Sequence, residues 1–145
     1  GGNIFSHCLP LCCISPSSAL IHREVFTEIG LFDESLPACE DYDFWLRFCS
    51  QHAVSLLEDA STIKYGGHDD QLSKQYWGMD RFRVQALDNL LCSKALNQQQ
   101  QQQTVSSLHT KLNVLRKGAL KHNNSQLLEY CQSIIKKHPR EQYAV

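Results

Sequence analysis

"ACEDYDFWLR", residues 38–47, decides how the chain is read. Three acids, Glu40, Asp41 and Asp43, stand where a helix anchored by Trp45 and Leu46 begins. At a helix start the free N–H groups and the dipole favour carboxylates, so capping alone accounts for the acids. Asp43 and Arg47 are four apart with the acid first, the order that pairs along a helix surface. Yet Tyr42, Phe44, Trp45 and Phe48 wrap around the same segment, so more than one of its faces meets protein or ligand. A carboxylate held beside such rings can sit at the floor of a pocket and accept a proton from a bound hydroxyl. The helix is predicted from about Glu40 to His52, and both readings of its acids stand open at this level.

Working outward, "SSALIH" (17–22) reads as a short buried strand after a Pro-bearing loop. "REVFTEIG" (23–30) reads as a short helix with Val25, Phe26 and Ile29 on one face and Gly30 as its left-handed stop. "LFDESLPA" (31–38) is a loop of turn formers. "AVSLLED" (53–59) and "STIKY" (61–65) look like strands, the second ended by Gly66 and Gly67. Residues 75–96 read as a long helix with Met79, Phe82, Ala86 and Leu90 on one stripe. Six glutamines (98–103) suit either a helical extension or a loose linker. Leu108, Leu112, Leu115 and Ala119, then Leu128, Cys131 and Ile135, predict a helical hairpin broken at "HNNS" (122–125). Two or three strands make a poor independent sheet. The main sheet is therefore expected upstream of Gly1.

Composition bounds the function. With 145 residues, 42% hydrophobic and 20% charged, the chain suits one modest globular domain. Residues 1–22 carry no Asp, Glu, Lys or Arg, but they hold two His, two Pro and four Ser and are no transmembrane helix. They also lack the basic start of a secretory signal. Residues 23–70 hold eleven acids against three Lys/Arg, a net −8, which speaks against nucleic acid as a partner. Residues 105–145 carry +5, read as a solvated helix face that leaves peripheral membrane contact open. The seven cysteines (8, 12, 13, 39, 49, 92 and 131) lack framework spacing and are read as reduced thiols, hence a cytoplasmic location. "HCLPLCC" (7–13) has no CxxC partner, which argues against zinc there.

A second constellation is "KYGGHDDQLS" (64–73). Its glycines let backbone approach a ligand, and its His and Asp side chains suit a divalent metal or a phosphate oxygen. A polar turn before a helix explains the same residues.

These pieces occur in a recognisable order. "ISPSSALIHREVFTEIGLFDESLPACEDYDFWLRF" (14–48), followed by "LLEDASTIKYGGHDDQLS" (56–73), resembles the C-terminal half of a family 2 glycosyltransferase with the GT-A fold. The resemblance covers residues 4 to about 96 and implies an α/β fold. The reading is of a partial GT-A domain over 1–97, lacking its nucleotide-binding half, followed by a Gln-rich linker and helical hairpin over 98–145. Such enzymes transfer a sugar from a nucleotide-sugar to an acceptor hydroxyl, usually with inversion and a divalent metal, Mn or Mg. The resemblance makes Asp41 the base, with Glu40 orienting it or sharing the role. It places His68 near the metal and diphosphate, Asp33 in the Gly-x-Phe-Asp turn that shapes the acceptor side, and Trp45 either along the sugar pocket or in the core.

The departures carry weight too. The family's metal-binding Asp-x-Asp motif is missing, because "DYD" (41–43) lies inside the base helix. The Gln-x-x-Arg-Trp motif of processive synthases is also missing. The expectation is a non-processive transferase of which this chain is a piece, inactive alone. The alternative is a non-enzymatic assembly module using the hairpin. A hydrolase with paired carboxylates is excluded, since sequence neighbours such as Glu40 and Asp41 cannot flank a glycosidic bond.

Overall fold

The computed structural model describes residues 1–63, 65 and 75–143. They divide into two compact units, Gly1–Met79 and Asp80–Val145. The boundary expected at 97/98 falls inside the second unit.

The first unit is built around one helix. Helix α1 (Phe5–Cys8) packs on α3 (Glu40–Cys49), and α2 (Arg23–Glu28) lies between them in sequence. Phe5, Cys8 and Leu9 are buried, as are Tyr42, Phe44, Trp45, Leu46 and Cys49 of α3. Burying a large apolar side chain contributes roughly 1.5–3 kcal/mol, so α3 is the main source of stability in this unit. Tyr42 ties it down further, its hydroxyl donating to the Leu9 carbonyl at 2.6 Å. Helix α2 ends as the sequence predicts, with Gly30 at φ +88°, a conformation that a residue with a Cβ adopts at a cost.

The predicted strands are not formed among the described residues. Residues 16–18 make a 3₁₀ turn where a strand was expected over 17–22. Over 53–63 the pairing is a single antiparallel bridge, Gly2 with Val54. The expected GT-A sheet is thus not seen, and these residues are mostly helical. The physical reason is pairing: a strand without neighbours leaves its N–H and C=O groups unsatisfied. Leu20, Leu56, Leu57 and Ile63 remain exposed as a result, with Leu20 fully so. The "HDDQLS" loop and the Gly66-Gly67 stop lie outside the described residues.

The second unit is helical. Helix α4 (Asp80–Cys92) and α6 (Ser125–Lys137) both pack on α5 (Gln98–Lys121). The glutamine run is helix, because Asn97 and Gln100 close a capping box at its start: each side chain bonds the other's backbone N–H, at 2.9 and 3.0 Å. Leu108, Leu112, Leu115 and Ala119 are buried as their spacing predicts. The buried stripe of α4 differs from the expected one, with Val84 and Leu87 joining Ala86 and Leu90. The hairpin breaks where expected, with Asn123 left-handed at φ 52°. No helix among the described residues is long and apolar enough to cross a membrane.

Candidate functional site

The start of α3 is unusual in how it is entered. Its N-cap residue, Cys39, is left-handed at φ 66° and gives no side-chain cap. Ordinary N-caps are extended, so this turn carries strain of order 1–2 kcal/mol. Three carboxylates then leave the first turn in different directions.

Asp41 is half-buried and faces the loop after α1. Its Oδ2 accepts from the Cys12 thiol at 3.3 Å, and its Oδ1 accepts from the Tyr42 N–H at 2.7 Å. Burial pushes the Cys12 thiol up to about 12, helped by the negative charge of Asp41, so the thiol stays protonated and donates. Cys12 was read only as one of the reduced thiols. Its contact with Asp41 spans 29 residues, and no local pattern signals it.

Glu40 differs. Its Oε2 is buried and has no hydrogen-bond partner among the described residues. Buried carboxylate oxygens in native proteins nearly always have one, so this atom calls for a ligand or a water.

Asp43 is structural. It is 4% exposed, and its Oδ2 accepts from Arg47 Nε and Nη2 at 2.9 and 2.8 Å. Arg47 also donates to the carbonyls of Ile29 and Leu31, which clamps the α2–α3 loop to the helix. The pairing matches the sequence expectation, but the surface placement does not. Burial pushes the Asp43 carboxyl above its usual range, and the adjacent guanidinium opposes that rise.

Asp33 is held locally. Its Oδ1 accepts from the Ser35 N–H at 2.9 Å and the Ser35 hydroxyl at 2.7 Å, and those bonds lower its pKa. It feels the charges of Arg47 and Asp43. Two residues of α-helix turn by about 200°, so Asp33 belongs with the Asp43 face and not with Asp41. Trp45 is buried edge-on between Phe44 and Phe48, at centroid distances of 5.1 and 6.0 Å. It is a core ring, yet its Nε1–H is also buried with no partner among the described residues. His68 lies outside the described residues.

The structure therefore brings Asp41 to Cys12 and sets Asp33 and Asp43 apart from that pair; Glu40 is the sequence neighbour of Asp41, with its Oε2 buried. This set does not fit a divalent Mn or Mg ion. Hard cations take several oxygens, whereas here Asp43 is neutralised by Arg47 and both Asp41 oxygens are engaged. What it does fit is a carboxylate at a helix N-terminus, held by two donors.

The model of a family described as glycosyltransferase-like family 2 matches residues 9–130. An uncharacterised glycosyltransferase of Rickettsia felis is 36% identical over 58 residues, 40% of this chain. The chain spans about a tenth of the length of that curated relative. No solved structure matches.

Proposed function

Because the chain belongs to glycosyltransferase-like family 2, we infer that its first unit supplies the acceptor side of a sugar transfer with Asp41 as base. The sugar comes from a nucleotide-sugar and goes to an acceptor hydroxyl. The observation that carries the reading is the Asp41 carboxylate, fixed at the α3 N-terminus by Cys12 and the Tyr42 N–H, with the Oε2 of its neighbour Glu40 unpartnered among the described residues.

The chemistry is a single displacement. The acceptor hydroxyl loses its proton to Asp41 as its oxygen bonds to the anomeric carbon, and the bond from that carbon to the diphosphate oxygen breaks on the opposite face. The electron pair leaves with the nucleoside diphosphate. In this reading Glu40 Oε2, buried and unpartnered among the described residues, accepts a hydrogen bond from another hydroxyl of the acceptor and orients it. A base in position is worth about 10²–10⁴ in rate. We place donor-nucleotide binding outside these residues, which leaves the chain inactive by itself. The exposure of Leu20, Leu56, Leu57 and Ile63, all in segments of strand-like composition, supports that placement.

A test of the reaction class is the anomeric configuration of the product. The intact transferase is incubated with a panel of nucleotide-sugars, and the new linkage is read by NMR before the products re-equilibrate. Inversion is expected, and a retained configuration contradicts single displacement. The alternative, an assembly module built on the hairpin, is less well supported, because α5 spends its buried stripe on α4 and α6.

A further inference from the structure

The second unit gathers three chemically different donors at one point. Asp88 and Cys92 are one turn apart on α4, with the Cys92 Sγ 3.6 Å from Asp88 Oδ1. His138, the C-cap of α6, brings its Nε2 to 2.7 Å from the same oxygen. A carboxylate oxygen, a thiol sulfur and an imidazole nitrogen thus lie within 4.8 Å of one another. We propose that Asp88, Cys92 and His138 form a zinc-class cation site that pins the end of α6 to α4, with the Lys137 ammonium holding its place when no metal is bound.

The imidazole is built into position. His138 is 4% exposed, its Nδ1 is 3.1 Å from the Tyr143 hydroxyl, and its backbone carbonyl is 2.8 Å from the His109 Nε2 on α5. A metal-bound histidine needs such a partner on its far nitrogen to fix the ring and free the other nitrogen for the ion. An acid–base network alone would need only Asp88, His138 and Lys137, whose Nζ lies 2.8 Å from Asp88 Oδ1. It leaves without an acid–base part a thiol that is aimed at that same oxygen and also meets the Lys137 ammonium. One oxygen, one nitrogen and one sulfur match the borderline donors of zinc, with a fourth position left for water.

Lys137 is the resident competitor. Its side chain is 48% exposed, so a divalent ion can displace it into water without disturbing packing. Binding sends the Cys92 thiol proton, and any proton on His138 Nε2, to solvent. Nothing in this site depends on the sugar-transfer reading. It shares no residue with α3.

The experiment titrates the chain with Co²⁺ and Zn²⁺. One equivalent of Co²⁺ should give a near-ultraviolet thiolate band, and Zn²⁺ should bind one-to-one at micromolar strength or better. Cys92→Ser, at an exposed position that leaves the core intact, should abolish the band and weaken zinc by about tenfold or more. Lys137→Met should tighten zinc at least severalfold while leaving the helical circular dichroism unchanged. A cobalt band that survives in Cys92→Ser overturns the site, because the metal then sits on other thiols. Absent saturable zinc binding, or an affinity unmoved by Lys137→Met, overturns it equally.

Discussion

Asp41 and Asp43 are two positions apart, and about half a turn of α3 sets them against different partners. Asp41 meets a thiol and a backbone N–H, whereas Asp43 meets the fork of Arg47. For Asp43 the folded pKa is raised above 3.8 by burial, so ionisation of this group works against folding. That deficit is absent at low pH and develops as pH rises through the folded-state value. Asp43→Asn keeps the shape and one acceptor for Arg47, so its effect at neutral pH should lie within about 1 kcal/mol. Asp43→Ala strands Arg47 and opens a cavity, and should destabilise by about 2–4 kcal/mol. Urea unfolding of both variants measures this, and equal losses would contradict it. In the same measurement, wild type should lose stability relative to Asp43→Asn as pH rises from about 4. The Asp43–Arg47 pair was legible from spacing. The Cys12–Asp41 contact was not, because nothing local encodes a contact closed by tertiary packing.

At the scale of elements, helices α2 to α6 were legible in place though not in bounds, whereas α1 went unread and the expected strands did not form among the described residues. Helices satisfy their own backbone, so the apolar spacing of 108–119 and the acids of 40–43 announce α5 and α3 without reference to the rest of the chain. The fate of the glutamine run was decided by Asn97, whose capping box fixes the start of α5. Asn97→Ala should lower the stability of the second unit by about 1 kcal/mol, read by denaturant unfolding, and an unchanged midpoint would remove the cap from the account. The strands expected over 17–22, 53–59 and 61–65 carried the right composition. A strand exists only with a partner, and among the described residues Gly2 is the one pairing found, opposite Val54. His68 and its loop lie outside the described residues, so the second constellation in the sequence stays an expectation.

For the whole molecule, the family was readable from the order of its motifs, and the match over residues 9–130 agrees with it. Order along the chain survives even where pairing is incomplete, which is why the motifs spoke more clearly than the fold. If the first unit holds only the acceptor side, the chain should not bind UDP with Mn²⁺ at micromolar concentration. Calorimetric titration of the chain decides this, and micromolar binding would contradict the division of labour proposed here. The most direct test of the central claim, that Asp41 takes the acceptor proton, is turnover of Asp41→Asn in the intact transferase with donor affinity measured alongside. The account predicts a loss of about 10²-fold or more in kcat with donor Kd unchanged. A variant that keeps a tenth or more of wild-type turnover would contradict it.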